Sequence, residues 1–216
     1  MAKRIVSIEQ RYEIDVEVTV MIIWINGAFG AGKTQTAYDL HKRAEHSFLY
    51  DPENAGYFIR KNTPRSTHTS DFQDNPMWRD FNYAMLKHLD ETYEGIIIVP
   101  MTVVNPQYFE EIVGRLRSDG VAVLHYALCA TEETLIKRLR GRGERKNSWP
   151  EQQITRCVAA LSDERFGHHL QTEHSSILDN VEQIASLSNI KLLPDHRSSL
   201  KRSFDRVITQ VKQIRF

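Results

Sequence analysis

Residues 27–34 read Gly27-Ala28-Phe29-Gly30-Ala31-Gly32-Lys33-Thr34, the spacing G-x-x-x-x-G-K-[ST] of a P-loop. A nucleotide's phosphates need a concave ring of backbone N–H donors, a cation and a hydroxyl for the accompanying metal. Gly27, Gly30 and Gly32 let the backbone curl with its amides turned inward. Lys33 has the reach for the β- and γ-phosphates, and the Thr34 hydroxyl suits Mg²⁺. This octapeptide predicts an ATP site with Gly27 through Thr34 as its cradle and Mg²⁺ at Thr34. A glycine-rich turn without a ligand is the alternative.

Two further stretches carry chemistry of the same kind. Asp51 follows the short apolar run Ser47-Phe48-Leu49-Tyr50 and precedes Pro52, so it stands where a strand ends. An acid there can take a proton from an acceptor hydroxyl, or join a metal's water shell. A turn-capping carboxylate is the other reading. The second stretch is Lys137 to Lys146, with six cations, one anion and two glycines in ten residues. Phosphoryl transfer spreads charge over three oxygens, and arginines on a movable segment can close over it. Arg138, Arg142 and Arg145 are therefore read as lid arginines on a lid at about 141–149. A basic helix end favoured by the helix dipole is the alternative. Arg60, Arg65 and Arg79 are weaker candidates for holding phosphates.

These groups need a scaffold that brings strand ends together. The apolar run Ile22 to Ile25 leads into the glycines, and a helix over 34–45 leads out. Gly95 to Pro100 is continuous and apolar, as in a parallel strand buried on both faces. It ends in Met101-Thr102, where many P-loop enzymes carry a metal-binding acid. Asn75-Pro76 predicts a helix start, with Trp78, Phe81, Met85 and Leu89 along one face. Residues 60–76 read as a polar loop. Helices are expected over 106–118, from Thr131, over 150–161 and over 177–187, with strands at 121–129 and before Gln171. The expected fold is α/β: a three-layer P-loop NTPase fold, with a parallel five-stranded sheet, helices on both faces and an Arg-rich lid.

The expected domains are an N-terminal extension 1–20, a P-loop kinase-like domain 21–194 and a C-terminal amphipathic helix 195–216. Met21 directly precedes the first strand, so 1–20 is either an upstream extension or an edge strand alternating at Ile14, Val16, Val18 and Val20. From Asp195 on, Leu200, Phe204, Val207, Ile208, Val211 and Ile214 share a helical face beside six cations and two acids. Such a helix packs on its own domain or lies on an anionic membrane surface, which gives residues 196–216 a possible peripheral membrane contact.

Composition narrows the class. The 216 residues carry 28 basic and 28 acidic side chains, so net charge gives no reason to expect a nucleic-acid partner. The two cysteines, Cys129 and Cys157, lack metal-ligand spacing and fit a reduced, cytoplasmic protein. That compartment includes the inner face of the cell membrane. No N-K-x-D motif points to a GTPase, and no strand ends in the paired acids of a helicase or transporter ATPase.

IIWINGAFGAGKTQTA, YDPE at 50–53, DFQDNPMWRDFNYA, IIIVPMTVVNPQYFEEIVGRLR and LIKRLRGRGERKNSW together resemble the tunicamycin resistance protein family. The resemblance covers residues 21–216. It implies an ATP-binding protein with a nucleoside-kinase-like fold that protects bacteria against tunicamycin, a uracil nucleoside carrying a fatty acyl chain. It also implies membrane association through a C-terminal amphipathic helix. The family's P-loop carries over onto Gly27 to Thr34. Three functions follow as expectations. The first is an ATP-dependent phosphotransferase acting on tunicamycin or a related nucleoside. The second is an ATP-dependent binder that sequesters the drug, and the third a housekeeping small-molecule kinase.

Overall fold

The structure, a computed structural model, describes residues 20–198, 201, 202, 204 and 205. The expected extension 1–20, apart from Val20, and most of the expected C-terminal helix lie outside the described residues.

The first strand, β1 (Met21–Gly27), is the axis of the sheet. Ile22, Ile23, Trp24 and Ile25 are all fully buried although successive side chains point to opposite faces. Both faces of the sheet are therefore covered. Helix α1 (Lys33–Arg43) follows the P-loop, then β2 (Ser47–Leu49) and α2 (Glu53–Asn62). Two 3₁₀ turns, Arg65–Thr67 and Phe72–Asp74, lead to α3 (Pro76–Thr92) and β3 (Ile96–Pro100). Next come α4 (Pro106–Phe109), a π-helical turn Glu110–Gly114, α5 (Arg115–Ser118) and β4 (Val123–Cys129). The last elements are α6 (Glu132–Gly141), α7 (Trp149–Leu161), a 3₁₀ turn Glu164–Phe166, β5 (His169–Gln171) and α8 (Ile177–Leu187).

The five strands run in the order β2-β3-β1-β4-β5, and every pairing is parallel. With β1 between β3 and β4, the strand order reverses at the end of β1, where an open α/β sheet makes its ligand crevice. The P-loop leaves β1 at that point. The α/β fold expected from the sequence is the fold observed.

Three points differ from the sequence reading. Helix α2 was not foreseen. Gly56 interrupts its pattern, but a Cβ there would lie 2.7 Å from the Phe72 ring, so the glycine is what lets Phe72 rest on the helix. The segment after it is not a loose loop. Arg60 donates to the carbonyls of Thr69 and Ser70, each at 3.1 Å, and stacks 5.6 Å from Phe72. The face of α3 also differs from the expected stripe. Asn75 caps the helix by accepting from the Met77 amide, and Pro76 opens it, as expected. Trp78, Arg79, Asn82 and Leu86 are buried, however, while Phe81 is 41% exposed. Asn82 tolerates burial because it accepts from the Tyr50 hydroxyl at 2.7 Å and donates to the Trp78 carbonyl at 2.8 Å.

Candidate active site

The P-loop bends where only glycine fits. Gly30 and Gly32 have φ of 87° and 96°. A Cβ on Gly30 would meet the Leu135 carbonyl at 2.8 Å, so α6 lies directly against the loop. Gly32 caps α1 with no side-chain hydrogen bond, and α1 has no acid in its first turn. The positive dipole end of α1 is thus capped by no N-cap side chain and carries no acid of its own, which favours an anion there. Lys33 donates to the Ala28 carbonyl at 3.1 Å and lies 5.5 Å from the Phe29 ring. Part of its stem reaches solvent, but its ammonium is enclosed. Burial lowers its pKa to about 8; Cys157 and Glu53 pull it up, and the Arg142 charge adds to the lowering. A cation held at such cost fits an anionic phosphate, and so do the bare helix end and the glycine turn. Among the described residues, no group of three or more His, Cys, Asp or Glu could hold a metal. A Mg²⁺ ion at Thr34 would therefore share its coordination with phosphates.

The loop is stitched to its neighbours by buried polar groups. Asn26 Oδ1 accepts from the amides of Gly27 (2.8 Å) and Val103 (3.1 Å). Those two donors fix the amide's orientation, so Nδ2 donates to the Val103 carbonyl at 2.8 Å and to His125 Nε2 at 3.1 Å. His125 is therefore the tautomer with its proton on Nδ1. Burial, and after it the Arg117 charge, push His125 down to about 3. Thr102 donates to the Gly27 carbonyl at 2.8 Å, and Gln73 donates to the Thr102 carbonyl at 3.0 Å. The Thr102 hydroxyl, at the position where many P-loop enzymes carry an acid, is a brace for the loop.

A cavity of about 430 Å³ opens beside Phe29. Tyr57, Phe72 and Trp149 give it aromatic walls, and Glu53, Arg60 and Asp71 give it charge. Trp149, the first residue of α7, meets Phe29 edge-on at 5.2 Å, so this wall is shared with the P-loop. A smaller space of about 50 Å³ adjoins it and includes Asp71, Tyr108 and Arg156.

The expected site residues separate in space. Gly27 to Thr34 form the cradle. Asp51 is off the cavity wall, and its Oδ1 accepts from the Glu53 amide at 3.0 Å, capping the turn into α2. Arg142 acts on Lys33 through its charge. Arg145 is exposed on the turn 142–148 between α6 and α7, where the lid was expected. Arg138 is not on that turn. It points to the loop after β5, donating to Thr172 and to the Glu173 carbonyl. Arg79 is buried and structural; it binds Glu111 and the Gln73 carbonyl and stacks 4.2 Å from the Tyr108 ring. Glu53, Asp71, Tyr57, Gln73 and Trp149 were not foreseen as site residues. The signal for Glu53 was present: an acid two places after Asp51, past a proline that turns the chain.

A family model for an AAA domain matches residues 22–163. The tunicamycin resistance protein of Deinococcus radiodurans is 32% identical, over 82% of this chain and 100% of that one, with a TM-score of 0.72. The chain belongs to the tunicamycin resistance protein family. A gluconokinase from Sinorhizobium meliloti 1021 superposes with a TM-score of 0.56 at 16% identity, over 78% of this chain and 94% of that one. A shikimate kinase from Acinetobacter baumannii gives 0.50 at 16% identity, over 80% and 94%. At that identity the two kinases show a shared fold alone, that of P-loop small-molecule kinases. Among curated proteins, none matches the sequence.

Proposed function

We propose that this chain is an ATP-dependent phosphotransferase acting on tunicamycin or a related nucleoside. The observation that carries the reading is the shared wall. Phe29 belongs both to the phosphate cradle and to the 430 Å³ cavity, so a donor phosphate and an acceptor meet at one loop. Bound Mg²⁺-ATP supplies the transferable phosphoryl group. Lys33 and the amides of residues 27–34 would hold its phosphates, and Thr34 would hold the metal. Arg142 and Arg145 bring positive charge from the turn 142–148. Arg138 secures the loop after β5. The aromatic walls suit a ring-bearing acceptor of the tunicamycin type, a match suggested by what the Deinococcus radiodurans relative is called.

One observation favours the second reading, a protein that binds the drug without chemistry. Thr102 stands where many P-loop enzymes carry an acid, and its hydroxyl donates to the Gly27 carbonyl. Incubating the full chain with Mg²⁺-ATP and a panel of hydroxyl-bearing nucleosides and sugars separates the readings. ADP release with tunicamycin but not with sugars supports the proposal. Release with a common metabolite alone selects a housekeeping kinase, and tight drug binding without ADP selects sequestration.

A further inference from the structure

The cavity has two acids on its wall, and neither is the acid the sequence singles out. Glu53 is the first residue of α2 and shares the wall with Phe29 and Thr102. Asp51 lies two positions earlier, off that wall. Its carboxylate is engaged locally, because Oδ1 accepts from the Glu53 amide at 3.0 Å. Its carbonyl accepts from the Asn54 amide at 3.2 Å. The intervening Pro52 carbonyl accepts from the buried Trp78 indole at 2.9 Å. Residues 51–54 therefore form a turn fixed from both sides, with Glu53 on the cavity wall and Asp51 off it.

Electrostatics agree with this placement. The Glu53 charge is felt at Lys33, whose proton it helps to hold, in keeping with its place on the wall it shares with Phe29. Asp71, the other acid on the wall, makes no such mark on Lys33. One of its oxygens accepts from the Gln73 amide and the other faces Arg156 of α7 at 3.9 Å.

We propose that Glu53, rather than Asp51, is the carboxylate that meets the acceptor's hydroxyl, and that Asp51 is its positioning residue. The inference rests on the phosphotransferase reading. The acceptor hydroxyl gives its proton to a Glu53 oxygen while the hydroxyl oxygen bonds the γ-phosphorus. The bond from that phosphorus to the β–γ bridging oxygen breaks, and its electron pair stays on the leaving diphosphate. Glu53 is thus a catalytic residue, and Asp51 acts through the amide it holds.

The two assignments give opposite results for one pair of variants. An asparagine at 51 keeps a side-chain oxygen that accepts from the Glu53 amide, whereas an alanine does not. The full chain is assayed with Mg²⁺-ATP and tunicamycin for ADP release, with calorimetric nucleotide affinity and circular dichroism as checks on folding. Glu53→Gln should lower kcat by about a hundredfold or more and leave nucleotide affinity within about threefold. Glu53→Asp should recover part of the loss. Asp51→Asn should stay within about fivefold of the unchanged protein, and Asp51→Ala should lose about tenfold or more in kcat. Asp51→Asn as inactive as Glu53→Gln, or Glu53→Gln at full turnover, would overturn the assignment. If the unchanged protein binds tunicamycin in the presence of ADP and Mg²⁺ but releases no ADP from ATP, the phosphotransferase reading fails by itself. Glu53→Gln should then still weaken tunicamycin binding by about tenfold, and unchanged binding overturns the contact. An unchanged protein that neither binds nor turns over with tunicamycin overturns both.

Discussion

Lys33 illustrates how a single residue reports on the site. Its ammonium is enclosed beside Phe29, and its pKa is lowered to about 8, first by burial. Phosphate oxygens favour the charged form, so they raise that pKa again. Between about pH 8 and 9.5 the free protein is losing this proton and the nucleotide complex is keeping it. Nucleotide binding in that window should take up protons, and affinity should fall by up to about tenfold per pH unit. Calorimetry at pH 8.5 in two buffers of different ionisation enthalpy measures the uptake. Equal apparent enthalpies would contradict the placement of Lys33. Lys33→Ala should also lower ADP release by about a hundredfold or more, since it removes a charge aimed at the transferring group; full turnover in that variant would remove Lys33 from the site.

At the scale of elements, the ends of β1, β3 and β4 are held together by Asn26, Thr102 and His125. His125 must stay neutral, because protonated Nε2 would face the Asn26 Nδ2 donor. Its folded pKa, about 3, lies below its ordinary value near 6.5, so the unfolded chain binds this proton first as pH falls. His125 therefore contributes stability at neutral pH that is lost between about pH 6.5 and 3, by up to about 1.4 kcal/mol per unit. Urea unfolding of the unchanged protein and of His125→Gln at pH 7, 6, 5 and 4 should give a shallower decline in the variant. Parallel declines would show that His125 already carries a proton when folded.

The same elements show what a sequence can display. The P-loop and the start of α3 were legible because their signals are local: glycines and a lysine at fixed spacing, and a capping asparagine before a proline. The burial of β3 was legible from an unbroken apolar run. The bracing of the loop was not, because Asn26 and Val103 are 77 positions apart and nothing in either residue announces the other. Glu53 was masked for a related reason. Asp51 has the expected position at a strand end, and only the fixed turn through Pro52 shows which of the two acids reaches the cavity. Arg79 read as a free cation because its partners, Glu111 and the Tyr108 ring, come from a distant segment.

Across the whole molecule, Arg197 is one of several residues that tie the chain's later part to the P-loop helix. Arg197 pairs with Asp195 and Asp205 and with Asp39 of α1, at 2.8–3.2 Å, and its side chain is 13% exposed. Lys42 of α1 pairs with Asp205 at 2.8 Å. Arg197→Ala leaves Asp39 and Asp195 nearly buried without this partner, and should destabilise the protein by about 2–4 kcal/mol in urea unfolding. An unchanged midpoint would mean that the network forms on the surface without weight. A test of membrane contact through residues 196–216 should therefore cut the chain after Asp205, keeping Arg197 in place. Among the described residues, no helix is long and apolar enough to cross a membrane.

Under the proposed function, a phosphate held at Lys33 is passed to a molecule held beside Phe29. The direct measurement is the mass of tunicamycin recovered after incubation with the full chain and Mg²⁺-ATP. Transfer yields a drug heavier by one phosphate, formed in step with ADP and absent with Lys33→Ala. Unmodified drug, recovered tightly bound to the protein, would contradict it.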